Sequence, residues 1–154
     1  MRDQVGGRAL GEPAAGGGPA ATSAGLGRVL VALYGLFTLA AGARAGVQIA
    51  TRFSEAPVAY LLSALAAVIY LVATVGLVRG GRGGRRTALV AISVELAGVL
   101  VVGTLSLTDR AAFPDETVWS AYGRGYGFVP LVLPVLGLLW LRTQGRADPE
   151  RPGA

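Results

Sequence analysis

The eight residues Arg79-Gly80-Gly81-Arg82-Gly83-Gly84-Arg85-Arg86 separate two long apolar runs, 57–78 and 87–107. Four arginines in a short glycine-rich connection, flanked by segments of membrane-spanning length, predict a cytoplasmic loop, because basic residues are retained on the inner face of a bilayer. The run before it carries no charge. As a helix it would measure ~33 Å at ~1.5 Å per residue, against a hydrocarbon core of ~30 Å. Pro57 suits its first turn, where a missing N–H costs nothing. The run after the loop carries a single acid, Glu95.

Outward from this loop the alternation continues. A first apolar run covers 26–49, with Arg28 at its inner end and Arg44 interrupting its outer part. A fourth covers 119–141, after an outer loop, 108–118, that holds Asp109, Asp115 and Glu116 against Arg110 alone. Trp119 and Trp140 bracket the fourth run ~31 Å apart along a straight helix, as residues that favour both interfaces would. Ten arginines fall on the expected inner side: Arg2, Arg8, Arg28, Arg79, Arg82, Arg85, Arg86, Arg142, Arg146 and Arg151. Four fall outside: Arg44, Arg52, Arg110 and Arg124. Every span agrees with that bias. The expectation is an all-α, polytopic four-helix transmembrane bundle in a bacterial plasma membrane, both termini cytoplasmic. Residues 1–25 and 143–154 are expected to be disordered tails; the first contains Gly16-Gly17-Gly18-Pro19 and too little apolar surface to offset the entropy of ordering. A cleavable leader is the rival reading of the first run, since Arg28, an apolar stretch and Ala41-Gly42-Ala43 supply the parts of one. A leader ending there would be over 40 residues long, with an extended polar front, which argues against it.

Composition narrows the chemistry. Of 154 residues, 53% are hydrophobic and 15% charged, where soluble domains carry about 25% charged residues. Cysteine and histidine are absent. That removes disulfides, thiolate metal sites, the commonest zinc and haem ligand, and any Ser-His-Asp or Cys-His nucleophile. No metal, no cofactor and no enzymatic activity are expected. The formal charge of +5 does not indicate nucleic acid, because the arginines cluster at the ends of apolar runs and no aromatic-rich basic face is visible. All basic residues are arginine, which a GC-rich genome explains together with the abundance of Ala and Gly.

Glu95 lies about nine residues into the third run, ~13 Å from its inner end and close to the midplane. A charged carboxylate at that depth costs several kcal/mol unless it is paired, wetted or protonated. Its helical neighbours Ala88, Ala91 and Gly98 are small, so another helix can approach and Glu95 is expected to face the bundle interior. It is either a proton- or cation-binding carboxylate or a hydrogen-bonded acid that pins two helices.

Arg44, Gln48 and Thr51 recur at i, i+4 and i+7 and would share one helix face. In one reading the span ends near Ala43 and Arg44 snorkels into the outer interface. In the other the helix continues and turns this face inward above Glu95. The vertical gap is then ~10 Å, so a direct Arg44–Glu95 pair would strain both side chains and a water-filled outer cavity would have to link them. The Gly42 and Gly46 pair is ordinary small-residue packing.

The most unusual stretch is Trp119-Ser120-Ala121-Tyr122-Gly123-Arg124-Gly125-Tyr126-Gly127-Phe128-Val129-Pro130. Each glycine weakens a helix by up to about 1 kcal/mol relative to alanine. Pro130 is placed to start a helical segment, yet 129–141 alone would span only ~20 Å. Either the helix runs through the glycines and packs closely at Gly123 and Gly127, or the outer third is partly unwound. Unwound backbone at membrane depth is tolerated only under cover of protein or water. There Arg124, beside the N–H groups of a helix start, would favour an anion such as a lipid phosphate. Pro134, one turn beyond Pro130, predicts a kink in either case.

The segment Tyr122-Gly123-Arg124-Gly125-Tyr126-Gly127-Phe128-Val129-Pro130, followed by Leu139-Trp140-Leu141-Arg142, resembles small four-span integral membrane proteins of high-GC Gram-positive bacteria. Glu95-Leu96-Ala97-Gly98-Val99 and Glu55-Ala56-Pro57 fit the same pattern, and the likeness covers about residues 28–142. The resemblance implies the topology and supplies no activity or site. Small multidrug transporters also have four helices and one membrane glutamate, but theirs lies in the first span, which has none here. The expected function is therefore a non-enzymatic structural or accessory membrane subunit, partnered by lipid and by other membrane proteins or further copies of itself. The alternative is a small proton-coupled transporter or anion- or lipid-binding protein using Glu95, Arg44, Gln48 and Arg124.

Overall fold

The computed structural model describes residues 19–146, with side chains from 24 to 145. The described residues form four α-helices and one 3-10 segment, with no strand among them: α1 Pro19–Arg52, α2 Pro57–Arg79, α3 Gly81–Thr108, the 3-10 segment Ser120–Tyr126, and α4 Val129–Arg146. Three helices are long and apolar enough to cross a membrane, and the 3-10 segment with α4 would make a fourth if that pair, bent by 100°, is one span.

Successive helices pack side by side: α1 on α2, α2 on α3, α3 on the 3-10 segment and α4, with α4 touching α1 to close the bundle. Arg85 reaches the backbone of Leu141, and Trp140 packs against Gly27, which gathers the start of α1, the α2–α3 turn and the end of α4 at one end. Arg28, Arg79, Arg82, Arg85, Arg86 and Arg142 lie at this end. Arg44 bonds to Tyr126 and Gln48 to Asp115 at the other. There Arg44, Arg52, Arg110 and Arg124 are accompanied by Glu55, Asp109, Asp115 and Glu116.

The packing is of a kind compatible with helices in hydrocarbon. Inward positions are often small (Ala41, Ala45, Ala59, Ala66, Ala73, Ala88), which lets backbones approach closely. Outward positions carry large aliphatics such as Leu36, Leu39, Leu61, Leu65, Val68 and Leu71, a pattern compatible with helices that cross a membrane. Hydroxyls inside the helices donate to their own backbone, as Thr38 does to Tyr34 O, Ser63 to Ala59 O and Thr74 to Tyr70 O. These three therefore need no water, whereas Tyr60 Oη in α2 is buried without a hydrogen bond.

The connection 79–86 is not the loop its glycines predict. α2 ends at Arg79, α3 begins at Gly81, and two successive glycines make the turn, Gly80 at φ 58°, ψ −159° and Gly81 at φ 61°. The Gly80 conformation is open essentially only to glycine. The arginines that follow favour helix and extend their heads outward. The two helices touch directly beyond the turn: a Cβ on Gly84 would stand 2.6 Å from Gly76 O.

The termini differ from expectation as well. α1 already begins at Pro19, so 19–25 are helical, and α4 continues through Arg146. The remainder of both expected tails, 1–18 and 147–154, lies outside the described residues. The fourth apolar run is not a straight helix from Trp119. It bends by 100° between Tyr126 and Val129, at the glycines, and α4 continues as one helix through Pro134.

Candidate functional site

Two polar groupings lie on the inward stripe of α1, where Leu30, Tyr34, Phe37, Ala41, Ala45 and Gln48 are buried at helical spacing. The deeper one contains Glu95. Its side chain is fully buried, and Tyr34 Oη donates to Glu95 Oε2 at 2.6 Å. Glu95 Oε1 is buried without a hydrogen bond. The hydrogen bond ties α1 to α3 through the core. Just outside it, Trp119 Nε1 donates to Tyr70 Oη at 2.9 Å, and the Tyr34 and Tyr70 ring centres are 6.2 Å apart.

Trp119 is therefore not an interfacial anchor. It is 2% exposed and its ring lies on Gly98, where a Cβ would stand 2.6 Å from Trp119 Cζ3. The small face of α3 around Glu95 admits an indole where a neighbouring helix was expected. The chain between α3 and α4 thus dips back into the bundle to within one turn of the acid.

The second grouping sits at the end opposite the arginine cluster. α1 continues past Ala43, and Arg44 turns inward: Nη1 donates to Tyr126 Oη at 2.9 Å and Nη2 to Glu116 O at 3.3 Å. Gln48 Nε2 donates to Asp115 Oδ2 at 3.2 Å, while Gln48 Oε1 is buried without a hydrogen bond. Thr51 does not join this face; it is exposed and bonds back to Val47 O. Ala43, Arg44, Val47, Gln48, Arg52 and Asp115 line an open cavity of about 560 Å³. That cavity does not reach Glu95, because aromatic rings fill the space between: Phe37 lies 5.7 Å from Tyr70 and 5.9 Å from Tyr126, centre to centre.

The glycine-aromatic segment is unwound, and its geometry is unusual. Ala121, Tyr122 and Gly123 take φ of 48°, 61° and 79° in succession, a single left-handed turn, and Phe128 is also at φ 61°. Such a conformation costs a non-glycine residue roughly 1–2 kcal/mol, so the surroundings must hold it. Ser106 Oγ accepts from Ala121 N at 2.8 Å, and Tyr122 Oη meets Thr104 Oγ1 at 3.0 Å. Tyr122 also lies on Gly103, where a Cβ would approach its Cδ1 to 2.6 Å. Gly123 is pressed on the Pro130 ring, with a hypothetical Cβ at 2.7 Å from Cδ, and Phe128 N bonds to Gly123 O at 3.0 Å. Gly123 and Gly127 therefore serve a turn, not helix packing, and Gly125 stands near Glu116 at the surface. Arg124 is exposed too and lies 4.0 Å from Glu116, a carboxylate that competes with any anion.

The predicted residues thus divide. Arg44, Gln48 and Tyr126 meet; Glu95 is apart from them; Arg124 belongs to neither group. Tyr34 and Tyr70 were not singled out, and Trp119 only as an interfacial residue. A depth count would have found the first two: Tyr70 precedes Arg79 by nine positions and Glu95 follows Arg86 by nine, with Tyr34 six beyond Arg28. Three polar groups at similar depth from the arginine end invite hydrogen bonding.

These features define an all-helical protein with three, or counting the bent pair four, segments able to cross a membrane. Compared with protein-family models, curated proteins and solved structures, the chain matches none.

Proposed function

We propose that the chain is a four-pass membrane protein of the bacterial plasma membrane, with its arginine-rich end and both termini in the cytoplasm. It works as a non-catalytic structural or accessory subunit. The observation that carries this reading is the state of Glu95: the one acid inside the apolar helices is completely enclosed and hydrogen-bonded to Tyr34. A carrier needs its carboxylate to meet the aqueous phase on each side in turn. Here it serves as a tie between helices, and the bundle is built as a packing unit.

The test uses purified protein in proteoliposomes. Glu95→Gln is expected to insert and to assemble like the native chain, and no pH-driven flux is expected to depend on Glu95. A flux present in the native protein and abolished in Glu95→Gln would replace this reading with proton-coupled transport. One observation favours a second reading, a binding site for a small polar ligand in the cavity beside α1: the buried Gln48 Oε1 has no hydrogen bond there.

A further inference from the structure

We infer that the cavity at the arginine end binds the headgroup of an acidic phospholipid, with the start of an acyl chain against its apolar wall. The cavity measures about 360 Å³ and opens between the α2–α3 turn and α4, lined among others by Leu77, Gly80, Arg82, Arg85, Trp140 and Gln144. This inference rests on the membrane-spanning reading above.

Charge is the first argument. Among the residues whose side chains are described, six arginines lie at this end, and no Asp or Glu accompanies them. At the opposite end four arginines are matched by four acids. Over the full sequence the segments read at this end carry ten arginines against Asp3, Glu12, Asp148 and Glu150, an excess of positive charge that a phosphodiester would offset.

The second argument is that one guanidinium is already fixed. Arg85 Nε and Nη2 both donate to Leu141 O, at 3.1 and 3.0 Å, and the group rests against Gly145 where any Cβ would collide with it. Two of its five N–H bonds are used and three remain. A guanidinium held in this way has lost its freedom before the ligand arrives, so less is lost on binding. Arg82, one turn earlier on α3, is exposed beside it.

The third argument is the wall. Leu77 and Leu141 face the cavity along with the Trp140 ring. A soluble phosphate gains nothing from such surface, whereas a lipid at headgroup depth presents its phosphate to the arginines and its glycerol and first methylenes to the wall.

The experiment reads tryptophan quenching in vesicles of phosphatidylcholine containing a minor fraction of either brominated phosphatidylglycerol or brominated phosphatidylcholine. Trp140 lines the cavity, while Trp119 is buried toward the other end and supplies a steady background. Brominated phosphatidylglycerol is expected to quench in excess of its phosphatidylcholine counterpart. That preference should fall about fivefold in Arg82→Gln and vanish in Arg82→Gln/Arg85→Gln. Arg142→Gln, an exposed arginine of the same end outside the cavity, should retain it. If Arg85→Gln does not fold, the exposed Arg82→Gln decides the matter alone. Equal quenching by the two lipids in the native protein would overturn the site, as would a loss in Arg142→Gln as large as in Arg82→Gln. Abolition of the excess by millimolar inorganic phosphate would overturn the lipid in favour of a soluble anion. If neither lipid quenched, the membrane reading would fall and this site with it.

Discussion

Tyr34 and Glu95 meet from positions 61 residues apart in the chain. The hydrogen bond is worth more here than at a surface, because neither group has water to fall back on. The two partners are not equivalent. Glu95→Gln keeps an acceptor for the Tyr34 hydroxyl, so a cost below about 1 kcal/mol is expected. Tyr34→Phe removes the donor and leaves both carboxyl oxygens unpaired, with an expected cost of about 1–3 kcal/mol. Thermal unfolding in mild detergent checks the order: Tyr34→Phe should melt lower than Glu95→Gln. The reverse order would mean that the charge of Glu95, and not its hydrogen bond, holds the helices. The sequence made Glu95 conspicuous as an acid in an apolar run. It left Tyr34 unremarked, because a tyrosine there is as often a ring that fills space as a donor.

Two short elements depend on backbone that alanine cannot comfortably adopt. Gly80, with Gly81, turns α2 into α3, and Gly123 completes the left-handed turn beneath Pro130. Gly80→Ala should lose about 1–3 kcal/mol through strain alone. Gly123→Ala should lose more than the roughly 1–2 kcal/mol of its φ, because the new methyl also strikes the Pro130 ring. Unfolding midpoints measured beside Gly83→Ala, at a glycine with open space around it, test both. Midpoints unchanged from the native chain would show that these turns relax freely. The glycine-aromatic stretch was legible as a weak place for a helix, with a continuous helix and an unwound segment both open. Its path was not. The left-handed turn is set by Ser106, Thr104 and Gly103, all on α3, whose hydroxyls and bare backbone receive it.

At the scale of the molecule, the arginines divide by end as their order along the chain implies, and the proposed function sets the arginine end toward the cytoplasm. The absence of cysteine offers a direct check. Single cysteines at Arg82 and at Ala112, both exposed and at opposite ends, need no background removed. A membrane-impermeant maleimide applied to intact cells should label Ala112→Cys and spare Arg82→Cys until the cells are opened. Labelling of Arg82→Cys in intact cells would invert the proposed topology, and with it the side of the proposed lipid site. The chain between α3 and α4 also gives the bundle an asymmetry that hydropathy does not show: at the arginine end the helices join through one residue, while at the other a returning segment carries Trp119 into the core.

Helix content, the apolar character of the runs and the segregation of arginine are properties of short stretches, so the order of residues suffices to establish them. Period and length are local, and a run of apolar residues in hydrocarbon must close its own hydrogen bonds wherever its neighbours lie. Partnership is not local. That Trp119 lies on Gly98, that Arg44 points to Tyr126, and that Arg85 grips the backbone of α4 each depend on two segments distant in the chain arriving at one depth and one azimuth. Helix periodicity says which face a residue shares, but only the packed bundle says what that face meets.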